Sequence, residues 1–170
     1  KEGKCTIEWK TETYRFTQEI AKFSDAVIKH ARAFPPTVSN VQSEGYSGLY
    51  LIDKKDVERY ARVHHATVLR FSKRAGSFNG IEVANFGECK GMTRRDVVIL
   101  ATNPIEKMLK SGTKLKAESA RKLYVAITRA QQSVAVAVGN PGAIYQSMLS
   151  PSSVWHEFGF RLESAVVDLS

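Results

Sequence analysis

Apolar positions along the chain follow two alternating rhythms, one of period 3.6 and one of short continuous runs. Over 15–34, "RFTQEIAKFSDAVIKHARAF", Phe16, Ile20, Phe23, Val27 and Ala31 recur at helical spacing, which predicts a helix with one apolar face. Thr17 stands where a capping side chain belongs and Glu19 falls in the first turn. Pro35-Pro36 closes this segment, because neither ring continues a helix and Phe34 before them is biased towards extended backbone. The stretches "GLYLID" (48–53), "ATVLRF" (66–71), "IEVANF" (81–86), "DVVILAT" (96–102) and "SVAVAV" (133–138) read as strands. Between them "KKDVERYARVH" (54–64), "NPIEKMLKSG" (103–112) and "KLKAESARKLYVAITRA" (114–130) read as helices, the last with Ala120, Leu123, Tyr124 and Ile127 on one face. The tail from Ser153, "SVWHEFGFRLESAVVDLS", predicts a short helix and then a final strand.

Strands alternating with helices predict an α/β fold, an open and mostly parallel central sheet covered on its faces. The run Val97-Val98-Ile99-Leu100 fits a strand buried on both sides. In such sheets ligands are expected at the carboxyl ends of the strands. There is no internal repeat, and 170 residues suit a single domain, with a core over about 13–140 and residues 141–170 packed on it as an extension. No apolar run approaches 18 residues, so no membrane span is expected. The opening "KEGKCTIEWK" lacks the apolar centre of a secretory signal. Cys5 and Cys89 form neither a disulfide framework nor a zinc knuckle, which suits a reducing, cytoplasmic setting, or an intracellular one for a viral protein. The net charge of +8 points to an anionic partner, nucleic acid or nucleotide before a membrane surface.

Three segments carry candidate chemistry. In "TYRFTQEI" (13–20), Arg15 stands in the loop entering the first helix. A cation there opposes the helix dipole unless an anion is bound beside it. In "FGECKGMTRRDVVIL" (86–100), Gly87 and Gly91 permit positive φ and close approach of backbone N–H groups, while Lys90, Arg94 and Arg95 add charge. The same composition also suits an ordinary solvated turn. In "LYVAITRA" (123–130), Arg129 ends a helix. A cation at a helix C-terminus is favourable by about 0.3–1 kcal/mol with no function at all.

In order and spacing these segments resemble the second RecA-like motor domain of UvrD/Rep-like superfamily 1 helicases. Tyr14-Arg15 resembles that family's fourth motif, Lys90-Gly91-Met92 ahead of "DVVIL" its fifth, and "RKLYVAITRA" its sixth. The resemblance implies a RecA-like three-layer α/β/α domain that closes on a first motor domain of the same protein. ATP with Mg2+ would lie between the two. Arg129 and Arg15 would be catalytic, reaching the γ-phosphate, a role that suits an always-protonated planar guanidinium. Gly91 and Thr93 would also contact the nucleotide. Glu88, Lys90, Met92 and Arg94 would face single-stranded nucleic acid, DNA favoured over RNA. The chain departs from the family in its fifth motif: Gly87 replaces the histidine, Met92-Thr93-Arg94 replaces "LEF", and Thr93 stands where a ribose-binding glutamate is expected.

No GxxxxGK[ST] occurs in the sequence and no acidic Mg2+ motif follows a strand. The chain alone is therefore not expected to hydrolyse ATP. It reads as the C-terminal piece of a longer helicase, with the Mg2+ ligands on a first domain upstream. The alternative is a non-catalytic module that keeps the fold and binds nucleic acid or a partner protein without turnover. Ten residues, Ser72–Ile81, leave no room for a large accessory insertion between the flanking strands. Three further groups have both bland and functional readings. His64-His65 suggests a metal site but lacks carboxylates at ligand spacing. Trp9, Trp155, Phe158 and Phe160 are base-stacking candidates or core. "KSGTKLK" (110–116) is a phosphate track or a solvated helix entrance.

Overall fold

A computed structural model describes residues 8, 10–148 and 161–162. Cys5, Trp9, Trp155, Phe158, Phe160 and the predicted tail helix lie outside the described residues. The central sheet contains β3 (Gly48–Asp53), β4 (Thr67–Arg70), β5 (Val83–Asn85), β6 (Arg94–Leu100), β7 (Ala130–Val138) and the two-residue β8 (Arg161–Leu162). Their spatial order is β5-β4-β6-β7-β3-β8, and every pairing is parallel. Helices α1 (Gln18–Ile28), α2 (Val57–His64), α3 (Asn103–Ser111), α4 (Ala117–Ile127) and α5 (Pro141–Met148) flank it. This is a three-layer α/β/α domain of RecA-like type.

Strand alternation sorts the core into two layers. Leu49, Leu51, Val97, Ile99, Val134 and Val136 face α1, α3 and α4, where Ile20, Phe23, Leu109, Leu123 and Ile127 meet them. Tyr50, Ile52, Val98, Leu100, Ala135 and Ala137 face the other way, towards Val57 and Tyr60 of α2. The Val-Ala-Val-Ala-Val run of β7 is thus a division of volume, with valines on the helix-rich side and alanines where aromatic rings need the space. Tyr46 stacks on Tyr50 with centroids 4.6 Å apart, and its hydroxyl meets that of Tyr60 at 2.6 Å. His64 stacks on Tyr46 at 4.2 Å, and His65 closes α2 in the left-handed region. Neither histidine sits in a group of three potential metal ligands among the described residues. Among the same residues, no helix is long and apolar enough to cross a membrane.

The first predicted helix begins after Thr17, as placed, but ends at Ile28, short of Ala31, and a strand stands where a loop was expected ahead of it. Residues Glu12–Thr17 form a strand, β1, which pairs in parallel with β2 (Val38–Val41) as a separate two-stranded sheet. Phe16 is buried in either reading, so the apolar pattern alone does not separate them. What decides is long-range pairing, reinforced by Gln18, whose side chain donates to the Thr37 carbonyl (3.0 Å) and accepts from the Ser39 N–H (2.8 Å). Thr17 occupies the position before α1, but its side chain makes no cap bond. The "KSGTKLK" stretch splits into the end of α3, a left-handed Gly112 and an irregular lead into α4.

Candidate functional site

Arg129 lies just beyond α4, not within its last turn. Thr128 closes the helix as its N–H donates to the Tyr124 carbonyl (3.0 Å), and the Arg129 N–H donates to that of Ala126 (3.1 Å). This tight exit turns the arginine back along the helix, so that Nε donates to the Val125 carbonyl at 2.9 Å. Nη1 donates to the Met92 carbonyl at 3.3 Å and Nη2 to the Thr128 hydroxyl at 3.1 Å. Arg129 is only 8% exposed, and all three acceptors are neutral. A guanidinium has five N–H donors, so about two are left over. Among the described residues no carboxylate forms an ion pair with it.

The expectation of Arg15 in a loop is corrected: it is an exposed residue of β1. The strand places it near enough to Arg129 for the two charges to repel. Burial first, and then Arg15, hold the Arg129 guanidinium below its ordinary pKa. A buried cation facing a second cation with no counter-ion is costly unless an anion joins them. The pair forms at the amino edge of the sheet, where β7 begins, and not at the carboxyl ends where ligands were expected. Arg129 stands there because it immediately precedes β7 in a parallel sheet, and the 86–93 segment reaches it by running from the carboxyl end of β5 back to the amino end of β6. It is locked there by the Arg94 N–H donating to the Arg129 carbonyl (2.8 Å).

That segment is a pair of turns. The Cys89 N–H donates to the Asn85 carbonyl (3.0 Å), the Met92 N–H to the Cys89 carbonyl (3.1 Å), and the Asn85 amide to the Glu88 carboxylate (2.8 Å). Gly91 adopts φ +89°, as its turn requires, whereas Gly87 takes no positive φ. Lys90, Gly91 and Thr93 are exposed, and among the described residues their backbone N–H groups carry no hydrogen bond, leaving them able to meet an anion. Met92 is half-buried against the main core, and its carbonyl accepts from Arg129 Nη1. Cys89 is fully buried; burial pushes its thiol up in pKa while the Arg129 charge draws it partly back.

Arg94, expected to face nucleic acid, pairs within the chain in this structure. Its Nε and Nη2 grip both oxygens of Glu82 at 2.7 and 2.5 Å. The Arg94 side chain, aided by a hydrogen bond from Thr67, holds the Glu82 carboxyl well below the usual range, at about 2. Held in two-pronged fashion, this guanidinium has its charge compensated within the chain, unlike that of Arg129. Sequence reasoning also missed a second layer. Gln132 accepts from the Glu44 N–H (2.9 Å) and donates to the Gln42 carbonyl (3.1 Å), pinning the 42–44 segment beside the entry to β7. Arg95 donates to Asp96 (2.8 Å) and to the Glu44 carbonyl (2.7 Å), while Ser133 donates to Asp96 (2.5 Å). None of these side chains forms a recognisable motif. Tyr14 is the most exposed large ring in the described chain, at 76%, one residue from Arg15.

No family model matches the chain, and no curated protein matches it. Among solved structures, the chain is similar to the helicase of PRRSV, with 18% identity and a TM-score of 0.49 over 76% of this chain and 23% of that one. A crystal structure of PRRSV nsp10 (helicase) gives 18% identity and a TM-score of 0.49 over 80% of this chain and 25% of that one. The C-terminal domain of a possible DNA helicase from Lactobacillus plantarum gives 15% identity and a TM-score of 0.48, covering 89% of this chain and 99% of that one. This chain spans about a quarter of the length of the PRRSV helicase chains it matches.

Proposed function

We propose that this chain is the second motor domain of an ATP-dependent superfamily 1 helicase or translocase of UvrD/Rep-like type, acting on single-stranded nucleic acid, DNA before RNA. One observation carries the reading: Arg129 is buried on neutral acceptors only, with N–H donors to spare, beside the uncompensated Arg15. That arrangement fits a phosphate presented from outside. ATP with Mg2+, held mainly by a first RecA-like domain, would supply the transferable phosphoryl group and the metal. The residues of this chain would complete the site. Arg129 is aimed by the Val125 and Met92 carbonyls, so its remaining donors meet developing charge without reorganisation. Arg15 adds a second positive charge, and the N–H groups of Lys90, Gly91 and Thr93 line the adjoining loop. Because the same anion would touch both domains, its arrival and loss would alter how tightly they close, which is the stroke of a translocase.

The test is Arg129→Ala in the complete protein. Loss of an arginine finger lowers turnover by about 10³-fold or more, so nucleic-acid-stimulated ATP hydrolysis should collapse while ATP binding, read by a fluorescent analogue, largely survives. Unchanged hydrolysis would sink the assignment.

A further inference from the structure

The outer side of α1 carries a second feature that no motif announces. Three shallow depressions of about 190, 250 and 370 Å3 run along it and share walls: Arg32 and Phe34 line the first two, Ala26 and Lys29 the last two. Lys10, Lys22, Lys29, Arg32 and Lys114 rim this groove, and among the described residues none forms an ion pair. Among the described residues the one carboxylate in its walls, Asp25, is spent on Thr37, accepting from its N–H (2.7 Å) and its hydroxyl (2.9 Å). Five cations against one occupied carboxylate is a strong local excess. Lys54, Arg59, Arg62 and Lys122 have acidic partners within 4 Å, whereas Lys73, Arg74 and Lys107 have none among the described residues but do not line the groove.

We propose that this groove is a phosphate-backbone track for a single-stranded nucleic acid, separate from the arginine pair. Its shape favours a strand over an engulfed small molecule. Two of its three depressions are smaller than the roughly 300–1,000 Å3 of enclosed ligand sites, yet together they form a continuous path. Its chemistry favours nucleic acid over an acidic protein. Phe34 supplies a flat ring, with the Arg32 guanidinium 5.9 Å from its centroid, and Pro35-Pro36 hold the segment that presents it. Bases stack on such a ring while cations follow the phosphates. Tyr124 ties the two sites together: it lines the groove and lies within electrostatic reach of Arg129. A strand in the groove would therefore lie next to the helix that carries the finger. The proposal rests on the nucleic-acid partner of the function above, and not on ATP turnover.

The experiment measures binding of a fluorescein-labelled oligothymidylate of about 15 nucleotides to the full chain across a salt series. The triple variant Lys22→Ala/Lys29→Ala/Arg32→Ala should bind roughly 10-fold or more weakly, and its log–log salt slope should flatten by about 2, near 0.7 per lost phosphate contact. Phe34→Ala should weaken binding by about fivefold or more at every salt concentration. A charge-matched control, Lys73→Ala/Arg74→Ala/Lys107→Ala, removes exposed cations that do not line the groove and should bind nearly as the parent does. Equal losses in the two triple variants would overturn the track in favour of diffuse attraction. So would loss of poly-aspartate binding with oligothymidylate binding intact, which would assign the groove to an acidic protein. All altered side chains but Phe34 are exposed, and an unchanged thermal melt confirms folding. In the complete protein, Arg129→Ala should leave oligothymidylate binding in place, so the groove and the finger fail separately.

Discussion

Arg94 and Arg129 are joined by a single backbone hydrogen bond, 2.8 Å from the N–H of one to the carbonyl of the other, yet the fold treats their charges in opposite ways. Arg94 is half-exposed and locked on both oxygens of Glu82. Arg129 is buried and given only carbonyls and a hydroxyl. The exposed cation is compensated within the chain and the buried one is not, the reverse of what desolvation alone would arrange. A counter-ion supplied from inside makes an arginine a strut. Under the proposed function, withholding one from a buried arginine keeps its field for an anion arriving from elsewhere. The helix-end reading of Arg129 remains true as far as it goes, because Nε does satisfy an orphan carbonyl of α4. It does not explain burial beside Arg15.

The contrast between the two arginines breaks most decisively through Arg129→Lys in the complete protein. An ammonium keeps the charge but cannot hold the Val125, Met92 and Thr128 acceptors and a phosphate together. Turnover should fall by about 10²-fold or more, close to the alanine variant. Retention of activity by lysine would mean that charge alone matters and that the aiming bonds are incidental.

Arg15→Ala sharpens it next. Turnover should fall by roughly 10–100-fold, less than for Arg129, since Arg15 is exposed and only one of two cations. The same change should leave the isolated chain as stable or slightly more stable, by a few tenths of a kcal/mol at low salt, because a like-charge neighbour of Arg129 is gone. Opposite signs in ATPase assays and thermal melts mark a residue kept for function. A fall in both would make Arg15 structural.

How much of this was legible depended on how local the cause was. The buried strand 97–100 and the helix bearing Leu123 and Ile127 are written in short-range pattern, and both form where the sequence places them. β1 was hidden because Phe16 satisfies the helical face as well as the strand, and its partner residues 38–41 lie beyond the Pro35-Pro36 turn. Arg129 and Arg15 were visible through their motifs, and a parallel sheet already puts Arg129, just ahead of β7, at the amino edge, but the strand that brings Arg15 there was not visible. Arg15 arrives through β1, whose pairing with residues 38–41 is long-range. Glu82 was invisible as the partner of Arg94 for a related reason. It sits in an irregular stretch whose side-chain directions are set by neighbouring strands.

The smallest effect tests the other half of the comparison. Glu82 has its pKa depressed in the folded chain, from 4.5 to about 2. The ion pair therefore contributes stability above pH ~4.5, and that contribution is lost as pH falls towards 2. Both partners are substantially solvent-exposed, so solvent screening limits it to about 1 kcal/mol or less. Arg94→Ala should cost up to that amount in urea melts at pH 7. The gap from the parent should narrow progressively between pH 4.5 and 2, and oligonucleotide-stimulated turnover of the complete protein should stay within about twofold of the parent. A pH-independent gap would mean that Arg94 stabilises by packing of its stem and not through Glu82. A large loss of stimulation with stability intact would mean that Arg94 leaves Glu82 when nucleic acid arrives. The division between strut and finger would then hold only for the unliganded chain.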